Sequence, residues 1–498
     1  MKRLGQPDCT SHPILKGFNL KKFMKQTYRH TKIIFTIGPA TESDEMLEQL
    51  ITEGVDVCRI NMAHANHEWT QNTVARIRKV SKKLGREISI MMDIKGPEIR
   101  TCPLDTPIQL KKDDRVDLST EANTFKFDEQ EGYPILGVNY PSLIEDLSIG
   151  NQVQVDNGLL KFEVLDVTDS RIQCKVLIGG KLTSRRHINL PGVKVNLPAI
   201  TQKDKGDVKV GVEAGVDQFA LSFVREATDI DLLREYLVNI GSRSRIVAKI
   251  EDQTAISNLD EIIQAADSLM VARGDLGIEC PLEELPIIQR RAVKKCLQMG
   301  KPVIVATHML ESMIENPVPT RAEVTDVANA VYEQADCIML SGETTVGKFP
   351  LECVKVFKRI ALRIERSGGA GFAEGRVLKG PKTMMLRSAK ILAEELQDTP
   401  IVVFTRTGRL GEILSSLRCD VPIYAFTDRP RILRHLVTLR GIEPFLMDFD
   451  EDPEQTIQDA FKIMLDRDWV KKGLPLVVIT NALAHGRIID TLQLRYVD

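Results

Sequence analysis

The stretch RIVAKIEDQTAISNLDEIIQAADSLMVARGDLGIE (245–279) contains two short apolar runs, RIVAKIE and LMVARGD, each closing on charged residues, with a helix-like segment between them. A strand, a helix and a second strand in that order read as one βαβ unit with parallel strands. The pattern recurs. IIFTIG (33–38), VDVCRIN (55–61), ISIMMD (88–93), QFALSF (218–223), VIVATHM (303–309) and CIMLSGE (337–343) bring the runs to eight, a number that favours a closed (β/α)8 TIM barrel over an open sheet. In such a barrel the polar residues at the C-terminal strand ends share one mouth, where chemistry sits. Here they are Thr36, Arg59, Asn61, Asp93, Lys95, Ser222, Lys249, Glu251, Arg273, Asp275, Thr307, Ser341 and Glu343. Cations facing carboxylates, with hydroxyls between, suit a phosphorylated substrate bridged by a divalent metal. Carboxylate oxygens hold Mg²⁺ while Arg and Lys neutralise phosphoryl oxygens.

About 125 residues separate the third and fourth runs, far too many for one crossover helix. The segment is rich in short β-like runs (TPIQL, RVDLS, QVQVD, LLKFEVLDV, RIQCKVLI), so a small all-β domain is expected as an insertion. After the eighth run, RSGGAGFAEGR (366–376) is expected to be a flexible join because of its Gly/Ala richness. SAKILAEEL, IVVFT, PIYAFT, DAFKIMLDRDW and LVVIT then indicate a further α/β domain. The expected limits are an N-terminal segment at 1–30, the barrel at 31–101 and 190–365, an inserted β-barrel lid at 102–189, and a C-terminal α/β regulatory domain at 366–498.

Across 498 residues, 43% hydrophobic and 27% charged composition excludes a disordered or fibrous chain. Lys and Arg (67) nearly balance Asp and Glu (69), so no global field exists to hold nucleic acid or an anionic membrane. The nine cysteines are scattered without a C-x-x-C pair, which favours reduced thiols and a cytoplasmic protein. No stretch approaches the roughly 18 apolar residues of a membrane span. GGKLTS (179–184), VGKFP and MGKPV all fall short of a P-loop. His64 and His67 lack the further ligands of a zinc site. Lys249 and Glu251, two apart on a strand, point to one side. Taken alone, that pair reads as readily as a solvated ion pair, and ARGDLG as a tight loop; their joint placement at one mouth is what points to chemistry.

Taken together, the motifs resemble pyruvate kinase from about residue 31 to about 445. They are TKIIFTIGPAT (31–41), CRINMAH (58–64), MDIKGPEIRT (92–101), VDNG (155–158), NLPG (189–192), SFVRE (222–226), AKIED (248–252), MVARGDLGIE (270–279), ATHMLESM (306–313), PTRAEVTDVANAV (319–331) and MLSGETTVGKFPLE (339–352). The resemblance implies transfer of the phosphoryl group of phosphoenolpyruvate to ADP, giving pyruvate and ATP, the last step of glycolysis. It implies that Glu251 and Asp275 hold Mg²⁺ or Mn²⁺, that Lys249 stabilises the transferring group, and that Arg59 and Ser222 meet the phosphate. Arg273 and the backbone of Ala272, Gly274 and Asp275 would face the substrate carboxylate, with Thr307 and Ser341 where the enolate is protonated. Pro39, Asn61, His64, Trp69, Arg100, Arg185, Arg186 and the lid residue Asp156 resemble nucleotide contacts.

For K⁺ the matching positions are Asn61, Asp93 and the Ile94 carbonyl, but Ala63 supplies no hydroxyl. Glu98 is nevertheless the residue type of K⁺-dependent members, and its charge near Asp93 calls for a compensating cation. His308 and Thr345 depart from the usual Gln and Ala. Thr405, Arg406, Thr407, Gly408 and Arg409 resemble a loop for a phosphorylated allosteric effector, and the resemblance implies a homotetramer. Two rival readings are a catalytically silent relative and another phosphoenolpyruvate-using barrel enzyme. The first would lack Lys249, Glu251 or Asp275; the second would lack the inserted β domain.

Overall fold

The computed structural model describes residues 28–498 apart from 122, 129–131, 397–398 and 485–486, so most of the N-terminal segment, with Cys9, lies outside the described residues. Strands Lys32–Thr36, Val57–Asn61, Ser89–Ile94, Gln218–Leu221, Arg245–Ile250, Ser268–Ala272, Val303–Ala306 and Cys337–Leu340 close into one parallel barrel. The first and last strands pair with Lys32 opposite Cys337 and Phe35 opposite Leu340. Side chains alternate between two buried faces. Ile34, Val57, Met91, Ala220, Val247, Met270 and Met339 fill the interior, while Ile33, Phe35, Cys58 and Ile60 pack outward on the helices. That double burial is why each strand reads as an unbroken apolar run.

Local signals set the helix ends. Ser43 accepts from the Met46 N–H to start helix Asp44–Glu53, which stops at Gly54 in the left-handed region. Reciprocal capping boxes at Thr201/Asp204 and Thr320/Glu323 start helices Gln202–Ala214 and Arg321–Tyr332.

Between the third and fourth barrel strands the chain forms an eight-stranded sheet and a separate two-stranded ribbon around their own core, which includes Leu118, Phe162, Cys174 and Val176. The sheet begins at Ile99–Arg100, slightly ahead of the expected 102, because those residues pair with the returning strand His187–Asn189. The last sheet runs Ile442–Leu446, Ile423–Thr427, Ile401–Phe404, Pro475–Ala484 and Arg487–Tyr496, the final pair antiparallel.

The join at 366–376, expected to be flexible, is pinned. Ala370 N–H donates to the Tyr332 carbonyl at 2.8 Å, and Arg376 donates to Ser416. Three ion pairs fasten the last domain to the barrel end opposite the mouth: Arg418 with Asp336 (2.5 Å), Arg434 with Asp217 (2.6 Å) and Arg245 with Glu412 (2.5 Å).

Candidate active site

Lys249 lies near the end of the fifth barrel strand, 10% exposed, with its Nζ 2.8 Å from Glu251 Oε1 and 3.1 Å from Asp93 Oδ1. It also donates to Ser222 Oγ at 2.8 Å. Arg59, near the end of the second strand, donates through Nε to Asp93 Oδ2 at 2.8 Å and through Nη1 to Thr36 Oγ1 at 3.2 Å. The Ser222 hydroxyl donates to the Ile94 carbonyl at 2.7 Å. Five strand ends thus converge on one network, as the position of polar residues at the ends of apolar runs predicts.

The charges in this network oppose their own burial. Burial alone would lower Lys249, but Asp93, Glu251 and Asp275 outweigh it and hold the ammonium above its ordinary range. Burial would raise Asp93, yet Lys249 and Arg59 keep it ionised below the usual carboxylate range. Glu251 goes the other way: burial pushes its carboxyl well up, and Asp275 adds to this against the pull of Lys249. Two carboxylates, one of them strained by burial as an anion, are the oxygen donors that a hard divalent cation would take. Among the described residues no group of three or more His, Cys, Asp or Glu is arranged to hold a metal alone.

The seventh strand is followed by Thr307 and His308, both with positive φ (68° and 54°). Such backbone is costly for residues carrying a Cβ and gathers at functional sites. The turn brings Thr307 Oγ1 within 2.6 Å of the Gly274 N–H, and a Cβ at Gly274 would sit 3.3 Å from Thr307 Oγ1 and from the His308 ring. The Ser341 hydroxyl is buried and has no hydrogen-bond partner among the described residues.

Arg273 departs from expectation. Its guanidinium turns from the mouth into the barrel wall, donating to Asp326 (2.6 Å) and to the Thr307 carbonyl (2.8 Å). Asp326, an unremarked member of the PTRAEVTDVANAV helix, offers no sequence signal for this contact. Glu343 is likewise spent on loops, accepting from the Leu310 and Ser341 N–H groups. Glu98 is not an unpaired anion: Lys95 (2.8 Å) and Arg100 (2.6 Å) both pair with it and hold its carboxyl below the usual range despite burial.

The residues expected at the nucleotide form two groups. Pro39 and His64 are exposed near the first and second strand ends, Asn61 Oδ1 accepts from the Ala63 N–H, and the Trp69 indole donates to Glu42 at 2.9 Å. Arg100, Arg185, Arg186 and Asp156 gather on the inserted sheet, where Arg100 donates to the Arg185 carbonyl (2.7 Å) and Arg186 pairs with Asp156 (3.2 Å). Far from the mouth, Thr405 Oγ1 accepts from the Gly408 N–H at the start of helix Arg409–Ser416, and Arg406 pairs with Asp428.

The family profile described as "Pyruvate kinase, barrel domain" matches residues 28–354, and "Pyruvate kinase, alpha/beta domain" matches 384–493. Plastidial pyruvate kinase 3 of Arabidopsis thaliana is 40% identical over 460 residues, covering 91% of this chain and 79% of the relative. Pyruvate kinase of Geobacillus stearothermophilus is 41% identical over 476 residues, covering 93% and 79%. The crystal structure of a pyruvate kinase from Cryptosporidium parvum superposes with a TM-score of 0.90 at 33% identity, covering 95% of this chain and 97% of that one. The chain belongs to the pyruvate kinase family, which transfers the phosphoryl group of phosphoenolpyruvate to ADP to give pyruvate and ATP.

Proposed function

We propose that this transfer takes place at the network of Arg59, Asp93, Ser222, Lys249 and Glu251, beside Asp275. The observation that supports it is one buried ammonium held between carboxylates at the open end of the barrel. Lys249 and Arg59 bind the phosphoryl oxygens with Ser222 and stabilise charge as the group moves, which is most of what a protein contributes to a loose transition state. Glu251 and Asp275 hold Mg²⁺ or Mn²⁺, which supplies neutralisation of the phosphoryl and carboxylate charge when bound. The backbone of Ala272, Gly274 and Asp275 faces the substrate carboxylate. We give the Arg273 guanidinium the task of holding the Thr307 turn in place. Thr307 and the unpartnered Ser341 hydroxyl face the enolate, where a proton arrives through water. Pro39, Asn61, His64, Trp69, Arg100, Arg185 and Arg186 take the nucleotide, and closure of the inserted domain with Asp156 excludes water that would intercept the phosphoryl group. A coupled assay for pyruvate from phosphoenolpyruvate, ADP and Mg²⁺ tests the reading, and absence of turnover with both Mg²⁺ and Mn²⁺ overturns it.

For K⁺ we propose a site of Asn61, Asp93 and the Ile94 carbonyl. Its support is now the oxygen set alone, since Glu98 already carries two cations. K⁺ is expected to activate, with a half-saturating concentration that falls when Ala63→Ser supplies a hydroxyl. Full activity in K⁺-free, NH₄⁺-free buffer would refute the site, and unchanged K⁺ affinity in Ala63→Ser would place residue 63 outside it.

Domain limits at 31–101 with 190–365, 102–189 and 366–498 follow from the same reading. A homotetramer is supported by apolar side chains exposed on helix Pro381–Glu395 (Met384, Ile391) and on edge strand Arg487–Tyr496 (Leu494, Tyr496). The loop Thr405 to Arg409 would cradle a phosphorylated effector. No helix among the described residues is long and apolar enough to cross a membrane, and the eight described cysteines are free. We place the protein in the cytoplasm; since some relatives carry plastidial names, a fluorescent fusion viewed beside a plastid marker decides.

A further inference from the structure

Phe223 follows Ser222 at the end of the fourth barrel strand and has φ +54°. A bulky residue in the left-handed region is an outlier that persists only where its surroundings hold it there. Its N–H donates to Glu251 Oε2 at 2.7 Å, while Lys249 holds the other oxygen, Oε1, at 2.8 Å. The carboxylate plane of Glu251 is therefore set by two donors, and one of them is a strained backbone.

The ring of Phe223 shows what holds that backbone. It lies against Gly96, where an added Cβ would come within 3.1 Å of Phe223 Cδ2. It also meets the ring of His187, with centroids 6.1 Å apart and planes at 42°. His187 belongs to the inserted domain, on the strand that pairs with Ile99–Arg100, and its carbonyl accepts from the Asp156 N–H at 3.0 Å. One aromatic side chain thus joins the inserted domain to the backbone donor of Glu251.

We infer that Phe223 is a positioning residue, held by His187, that transmits the placement of the inserted domain to the Glu251 carboxylate. The inference rests on the reading of Glu251 as a metal-holding residue. Without the ring contact, the backbone at 223 relaxes toward negative φ and its N–H swings off Glu251. The carboxylate then loses the orientation that the cation requires. Partners that orient a metal-holding group commonly change affinity by about 10- to 100-fold.

The test is direct Mn²⁺ binding to the full chain by electron paramagnetic resonance, alongside thermal melts and the KM for phosphoenolpyruvate. Phe223→Ala and His187→Ala are each expected to weaken Mn²⁺ binding about tenfold or more. The double variant should be no weaker than the weaker single, because the two act through one contact. His187→Phe, which restores a ring, should stay near the parent. A merely structural part would lower the melting temperature without moving Mn²⁺ affinity, and two independent contributions to the metal site would multiply in the double variant. Unchanged Mn²⁺ binding in both single variants, or full multiplication in the double, overturns the inference. If Phe223→Ala does not fold, His187→Ala against His187→Phe decides it. Glu251→Gln separates the two levels: if it leaves Mn²⁺ binding intact the metal reading falls, whereas if it alone weakens binding only the link through Phe223 falls.

Discussion

Lys249→Met is expected to keep Mn²⁺ and phosphoenolpyruvate binding while losing turnover by about 10²- to 10³-fold or more, the scale on which one preorganised charge partner acts. Methionine preserves the length and much of the apolar stem of lysine, so it removes charge with little change in volume. What remains is Asp93, still paired with Arg59 at 2.7 Å, and Glu251, still held by the Phe223 N–H. The ground-state site therefore keeps a cation and an oriented carboxylate. The lost ammonium is the one the carboxylates hold fully protonated, and in transfer it would follow the phosphoryl group as its charge spreads over the equatorial oxygens. Removing one member of a buried charged cluster also destabilises, commonly by about 3–5 kcal/mol. The kcat must therefore be read beside a melting curve and a substrate-binding measurement. An unchanged kcat in folded protein would remove Lys249 from the mechanism.

The barrel was legible because its strands are buried on both faces, so each reads as an apolar run that stops at the mouth; AKIED and ARGDLG marked two of those stops. The insertion was legible from the gap between ISIMMD and QFALSF, which no single helix can span. Side-chain direction was not. Arg273 and Lys249 look alike as cations at strand ends, yet one turns into the wall to meet Asp326 and the other into the mouth. Nothing in a linear pattern separates them, because Asp326 is brought near only by the helix before the eighth strand. The pairing of Glu98 was hidden for a related reason: its partners Lys95 and Arg100 are its neighbours in sequence, but pairing depends on a loop conformation that spacing alone does not fix. The join at 366–376 read as flexible on composition, whereas its small residues permit close packing: a Cβ at Gly369 would come within 2.5 Å of Gln334. The final strand Arg487–Tyr496 was missed because its mixed residues lie on an edge and carry no continuous apolar run.

Glu251→Gln and Asp275→Asn are each expected to raise the metal concentration needed for half-maximal activity, by at least the roughly 10- to 100-fold seen when even outer partners of a metal are changed. Both replace a charged oxygen ligand by a neutral amide that hard cations bind poorly. The two changes are not equivalent. Both Glu251 oxygens accept hydrogen bonds, one from Lys249 and one from the Phe223 N–H, so a Gln side chain must turn an NH₂ donor toward one of those donors. Glu251→Gln should therefore also disturb Lys249, lowering kcat at saturating metal. Asp275 has no side-chain hydrogen bond among the described residues and acts on the network through its charge, so Asp275→Asn should be closer to a pure affinity change, with kcat recovering more fully as Mg²⁺ is raised. Removing the Asp275 charge also takes away one of the anions that push Glu251 upward, which lets the remaining carboxylate ionise more readily and limits the loss. Titration of Mg²⁺ and of Mn²⁺ against initial rate, with direct Mn²⁺ binding as a check, measures both effects. Saturation of both variants at the parent's metal concentration would mean that the cation is held elsewhere in the mouth.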